Sequence, residues 1–210
     1  MKAVVRLTIE LVPRNAWCNN LRSLLPSDKW DRLRKETYRR VNYCCEICGG
    51  KGPTHPVECH EKWEYDDKKH IATLVGLLGL CPACHETKHM GLAQLRGRGD
   101  IARKHLAKVN GITDAQARKM IADAFRVWHE RDQYDWTTDI GWAISKTVGK
   151  EKYEKSVVLD TLCGVTPRLQ LASSRRNRKR YIPRWVRNAL QKPTCRCKSR
   201  YREMWNTTQT

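Results

Sequence analysis

Cys45-Glu46-Ile47-Cys48-Gly49-Gly50 and Leu80-Cys81-Pro82-Ala83-Cys84-His85-Glu86-Thr87-Lys88-His89 are the two stretches that govern the reading of this chain. Each Cys-x-x-Cys pair sets two thiols on one tight turn, near enough to share a cation. Two such turns supply four sulfur ligands, the donor set of a tetrahedral structural zinc site. Residues 49–80 separate the pairs, more than a simple ribbon needs, so further structure lies between them. Cys44 adjoins the first pair, but the symmetrical spacing selects Cys45, Cys48, Cys81 and Cys84 as ligands. His85 and His89 leave the second turn four residues apart, which on a helix puts both imidazoles on one face. Upstream, Val57-Glu58-Cys59-His60-Glu61 reads as a short strand presenting His60 and Glu61. A core or surface histidine is the ordinary fate of any one of these; their position beside the cysteine turns makes His60, His85 and His89 candidates for a second metal.

Composition sets the context. The chain has 210 residues, with 41 Lys+Arg against 22 Asp+Glu, a formal net charge of +19. Such an excess points to a polyanionic partner, most simply nucleic acid. No apolar run approaches the roughly 20 residues that span a bilayer, so no membrane association is expected. The start, Met1-Lys2-Ala3-Val4-Val5-Arg6, lacks a long apolar core and reads as no signal peptide. Ten cysteines in a chain expected to be cytoplasmic read as metal ligands rather than a disulfide framework.

The flanks divide by pattern. Residues 2–12 alternate as a strand, stopped by Pro13. Ser27 reads as the N-cap of a helix with Trp30, Leu33, Thr37, Tyr38 and Val41 on one side. Its other side carries Arg32, Arg34, Lys35, Arg39 and Arg40, either a solvated face or one facing phosphates. Asp100–Asn110 reads as a helix closed by Gly111. Thr113-Asp114-Ala115-Gln116 is a capping box opening a second helix through about Arg131. Ala117, Ile121, Phe125 and Trp128 form its core stripe, and Tyr134 to Trp142 packs back on the domain. From Arg168 to Arg202 there are thirteen Lys/Arg and no Asp or Glu. Trp185, Tyr201 and Trp205 are interleaved with or follow this run, so basic groups can meet phosphates while rings stack on bases. Arg175, Arg176, Arg178, Lys179 and Arg180 are the expected phosphate contacts; a tail that contacts RNA without selectivity is the alternative.

The run from Cys45 to His89 resembles the HNH nuclease family, a ββα-metal fold stabilised by a four-cysteine zinc. The resemblance is carried by Cys45-x-x-Cys48, Glu58-Cys59-His60-Glu61, Leu80-Cys81-x-x-Cys84-His85 and His89. More loosely, residues 5–142 are similar to small bacterial and phage proteins described as HNH endonucleases. The basic C-terminal third is not covered. The resemblance implies a divalent cation, Mg²⁺ or Mn²⁺ with Zn²⁺ as a further option, that contacts the scissile phosphate and stabilises the leaving 3′ oxygen. It implies His60, Glu61 and His85 as catalytic residues, with His60, His85 and His89 on the ion. In one alignment His60 binds metal and Glu61 is the base; in the other His60 is the base and Cys59 takes the ligand position. The family's Asn ahead of the second cysteine turn is replaced by Gly76, so its orienting role passes to another group, for which His55, His70, Asp66 and Asp67 are candidates.

The expected fold is therefore α+β: an N-terminal strand and helix (1–42), a zinc-stabilised ββα-metal HNH module (43–92), a helical extension (93–145) and a basic nucleic-acid-binding tail (146–210). The expected function is metal-dependent hydrolysis of phosphodiester bonds, in DNA first and RNA second, in a bacterial or phage-infected cell or as part of a mobile element. The alternative is a weak or inactive HNH-like zinc module that binds nucleic acid or joins a larger protein or ribonucleoprotein complex.

Overall fold

A computed structural model describes residues 6–16, 19–148, 157–160 and 168–171. The elements run α1 (Leu21–Leu24), α2 (Ser27–Arg40), β1 (Glu58–Asp66), β2 (Ile71–Leu80), α3 (Pro82–Lys88), α4 (Met90–Leu95), α5 (Gly99–Asn110), α6 (Asp114–Arg131), β3 (Thr137–Asp139), α7 (Gly141–Val148), β4 (Val157–Asp160) and β5 (Arg168–Leu171). The architecture is mixed α+β. The strands form one sheet in sequence order, β1-β2-β3-β4-β5. β3 runs parallel to β2, with Ile71 opposite Thr137, and the β3/β4 and β4/β5 pairs are antiparallel.

The described chain forms two compact units that interleave along the sequence. One comprises residues 6–12, 34–60 and 77–133; the other comprises the described parts of 13–33, 61–76 and 134–171. In the first unit, Leu7, Cys45, Leu80, Cys81, Cys84, Leu106 and Ala117 make one buried cluster, flanked by Ile9, Ile47, Met120 and Ile121. Three of the four expected zinc ligands thus belong to the apolar core. In the second unit Leu21, Leu74, Trp136, Ile140 and Ile144 are buried, and Asn19 Nδ2 donates to Thr138 Oγ1 at 3.0 Å.

Local signals in the sequence form the elements they specify. Pro82 stands in the first turn of α3, where its missing N–H costs nothing. Gly111 ends α5 with φ +62°, the left-handed geometry glycine adopts without strain. Thr113 and Gln116 close the capping box of α6. Ala117 and Trp128 of the predicted stripe are buried, as are Leu33 and Thr37 of α2.

Three expectations need correction. Residues 6–12 form no strand: the Arg6 and Leu7 N–H groups both donate to Asn110 Oδ1 at 2.9 Å, so a side chain takes the place of a neighbouring strand. Residues 1–5 lie outside the described residues. The helix bonding of α2 begins one residue earlier than read, with Pro26 O accepting from Lys29 and Trp30 at 3.0 Å. Segment 146–210, read as a tail, contributes the end of α7 together with β4 and β5. The basic residues Arg175, Arg176, Arg178, Lys179 and Arg180 lie outside the described residues.

The basic side of α2 proves partly structural. Arg40 clasps Glu46 with two bonds of 2.7 and 3.0 Å and donates to Leu77 O at 2.8 Å. Arg32 donates to Lys146 O. Glu46 in turn locks the first cysteine turn to β2: its N–H reaches Gly79 O at 2.9 Å, and the Gly79 N–H reaches Glu46 Oε2 at 2.6 Å. Gly79 also lets Val41 pack closely on β2, because a Cβ there would stand 2.6 Å from Val41 Cγ2. Gly79→Ala is expected to lower stability by about 1–3 kcal/mol, the usual range for overpacking. An unchanged urea midpoint would show that Val41 yields freely.

Candidate metal centre

The four cysteines converge. Their sulfur atoms all lie within 4.8 Å of one another, a separation at which one ion can bind all four. The first turn is built by a Cys45 N–H to Gly50 O bond and a Gly49 N–H to Cys45 O bond, each 2.9 Å, with Gly49 at φ +75°. The Gly50 N–H points at Cys48 Sγ, 3.4 Å away. The second turn opens α3, where Cys81 is the N-cap. Cys48 Sγ and Cys81 Sγ stand 3.6 Å apart. Without a cation, four such thiols cannot all ionise. A hydrogen bond from Cys84 pulls the Cys45 thiol down to about 4, burial pushes Cys81 up to about 11, and the bond to Cys45 together with burial raises Cys84. A divalent ion removes this conflict by balancing the thiolate charge. Four clustered cysteines of this kind can bind a structural metal such as zinc. His105 of α5 adds a group not read from the sequence, its Nε2 lying 3.2 Å from Cys84 Sγ.

The histidines form a second cluster. One ring nitrogen from each of His60, His85 and His89 falls within the same 4.8 Å limit. The ring centroids are 4.8–5.2 Å apart and the planes cross at 66–83°, an arrangement that lets three lone pairs converge. His60 comes from β1 and is 4% exposed. His85 comes from α3. His89 leaves the helical conformation, with φ −90° and ψ 47°, at the break between α3 and α4, yet its N–H still reaches His85 O at 3.2 Å. The four-residue spacing therefore places both rings on one side as expected, while the helix ends one residue short of His89. His85 Nε2 and His89 Nε2 face each other at 3.2 Å.

Carboxylates hold two of these rings. Glu58 accepts from His85 Nδ1 and pairs with exposed His55 at 2.7 Å. The His85 bond outweighs burial and holds Glu58 at about 2. Glu10 pairs with His60 Nε2 at 2.7 Å and with the ammonium of Lys88. Burial pushes Glu10 up, but His60 and Lys88 outweigh it and hold this carboxyl at about 2. Carboxylate–histidine pairs of this kind fix ring orientation and tautomer at metal sites. Sequence reading missed Glu10 and Lys88. Glu58 was visible only as a neighbour in the motif.

Other candidates are engaged elsewhere. Glu61 follows His60 on β1, so strand alternation turns its side chain to the opposite face. There it accepts the Leu21 N–H at 2.6 Å and the Trp63 Nε1–H at 3.3 Å. Asp66 accepts the N–H groups of Lys68 and Lys69 in the turn after β1. His70, at φ +52°, stacks on Tyr134 with centroids 4.2 Å apart.

Burial lowers the pKa of His60. Burial, reinforced by the neighbouring imidazoles, takes His89 from 6.5 to about 3. These rings are thus neutral near pH 7 and their lone pairs are available. A histidine held below its unfolded pKa contributes stability above about 6.5 that is lost as pH falls toward 3. With zinc limited to one equivalent, the urea midpoint is expected to fall between pH 7 and 5, by about 2 kcal/mol of stability from this group at 1.36 kcal/mol per unit. His89→Gln should show a smaller fall; equal falls would remove His89 as the cause.

Comparison with known proteins yields no match: no family model, no curated protein and no solved structure matches this chain. Among the described residues, no helix is long and apolar enough to cross a membrane.

Proposed function

We propose that this chain is a metal-dependent endonuclease of the HNH type, hydrolysing phosphodiester bonds in nucleic acid, with DNA as the first substrate. The observation that carries this reading is the convergence of His60, His85 and His89 beside a four-cysteine cluster, on elements that run strand, strand, helix. A structural zinc module needs only the cysteines. Three converging imidazoles are a donor set beyond that need, suited to a divalent transition ion.

The cysteines would hold zinc as part of the core, and the histidines would hold the second ion. A divalent ion there supplies charge neutralisation to a phosphate and to a departing oxygen. The chain's own groups orient the site: Glu58 fixes His85, and Glu10 with Lys88 surrounds His60. The net charge of +19 favours a polyanionic substrate. Glu61 would have to leave the Leu21 N–H and Trp63 to act as base.

That engagement of Glu61, with Gly76 at the expected Asn position, favours a second reading: a zinc module that binds nucleic acid without cutting it. Supercoiled-plasmid cleavage with Mg²⁺, Mn²⁺ or Zn²⁺, beside an EDTA control, separates the two. Metal-dependent nicking supports the nuclease. Binding without nicking by folded, zinc-loaded protein supports the module.

A further inference from the structure

Residues 6–12 lie far in sequence from the cysteine and histidine motifs, yet their placement is fixed at several points. Asn110 receives the Arg6 and Leu7 N–H groups and returns its Nδ2–H to Leu7 O at 2.8 Å. The Glu10 N–H reaches Lys88 O at 2.9 Å, and Trp128 Nε1 donates to Val12 O at 3.0 Å. Leu7, within this segment, is fully buried. The result is a carboxylate delivered to His60. One Glu10 oxygen meets His60 Nε2 at 2.7 Å, and the other meets Lys88 Nζ, which also reaches Thr8 Oγ1 at 3.0 Å.

An ionised carboxylate accepts hydrogen bonds and donates none. The proton between Glu10 and His60 therefore sits on His60 Nε2, and the one lone pair that ring can offer is on Nδ1. Glu58 acts on His85 in the opposite sense: it takes the Nδ1–H and leaves Nε2 free. Lys88, itself 4% exposed, occupies the second oxygen of Glu10. It neutralises a carboxylate that would be costly to bury alone, and it keeps that oxygen from competing as a ligand.

We propose that Glu10 is a positioning residue of the metal centre: by holding the Nε2–H of His60 it makes Nδ1 the nitrogen that His60 presents to the ion, while His85 presents Nε2. This rests on the reading that the three imidazoles hold a metal. The N-terminal segment is on this view part of the site, and residues 43–92 alone form an incomplete one.

The test uses the full chain, loaded with one zinc and labelled with ¹⁵N. Long-range ¹H–¹⁵N correlation reads the His60 tautomer directly, with no ion at the histidines. The wild type should show Nε2–H. Because removing Glu10 alone strands the buried Lys88, the informative variant is Glu10→Leu with Lys88→Met, which removes both charges. It should lose the single tautomer and bind Co²⁺ at the histidine site about 10- to 100-fold more weakly, the usual effect of deleting such a partner. The zinc at the cysteines should stay in place. Glu10→Gln with Lys88→Met, whose amide oxygen can still accept, should restore the tautomer. An Nδ1–H tautomer in the wild type overturns the proposal. So does a Leu/Met variant that keeps both tautomer and Co²⁺ affinity while the wild type binds Co²⁺. A wild type that takes up no Co²⁺ beyond its zinc overturns instead the metal reading on which the proposal stands.

Discussion

Cys48→Ser is expected to unfold the first unit, because the four-cysteine cluster would lose one corner of its metal site. The sulfur positions explain the size of the effect. Cys45, Cys81 and Cys84 are buried in one cluster with Leu7, Leu80, Leu106 and Ala117, and Cys48 is the partly buried fourth corner, 3.6 Å from Cys81 Sγ. Losing one of four ligands leaves three thiols crowded around a space with no ion to balance them. Structural zinc contributes on the order of 10 kcal/mol to folding, comparable to the whole stability of a domain, about 5–15 kcal/mol. The expected result is the loss of a cooperative melting transition and of bound zinc, in the variant and in wild type treated with a strong chelator. A normal melting curve for Cys48→Ser would sink the four-cysteine site. Cys44→Ser separates this effect from general thiol loss: Cys44 Sγ meets the nearby Asn42 O, at 3.4 Å, and lies outside the four-sulfur group, so zinc content should not change.

Much of the cysteine and histidine geometry was legible because its information is local. A Cys-x-x-Cys turn, a proline opening a helix and a four-residue histidine spacing each act over one or two turns of chain. The same holds for Gly111 and for the Thr113–Gln116 capping box. What escaped is non-local or short. Strands β3, β4 and β5 have three or four residues each, too few to show periodicity, and their pairing depends on partners distant in sequence. Residues 6–12 alternate like a strand, but the partner that satisfies them is one asparagine side chain, separated by more than 100 positions. Glu10 was invisible for the same reason: nothing in its neighbourhood marks it, and His60 lies 50 residues away. Glu61 shows the converse case. Adjacency to His60 suggested a shared role, whereas adjacency on a strand means opposite faces.

His85→Ala should abolish metal-dependent cleavage while leaving the fold intact. His85 is the central member of the cluster. Glu58 fixes its Nδ1, its Nε2 faces His89 Nε2 at 3.2 Å, and its ring stands 5.2 Å from that of His60. Truncation removes one of three nitrogen donors and releases Glu58 from its partner, so an ion held there would lose a ligand and the cluster part of its order. An ion that supplies several kcal/mol of charge stabilisation, at 1.36 kcal/mol per tenfold in rate, makes the expected loss about three orders of magnitude. The fold should survive, because His85 is only half-buried and lies outside the buried clusters around Leu7 and Met90. The cysteine-bound zinc should likewise remain. Cleavage by wild type, lost with EDTA and with His85→Ala at an unchanged melting temperature, would establish the histidines as the source of activity. Equal cleavage by the variant would assign the activity to another site or to a contaminant. Binding without cleavage by wild type would leave the cluster as a metal site in a nucleic-acid-binding module.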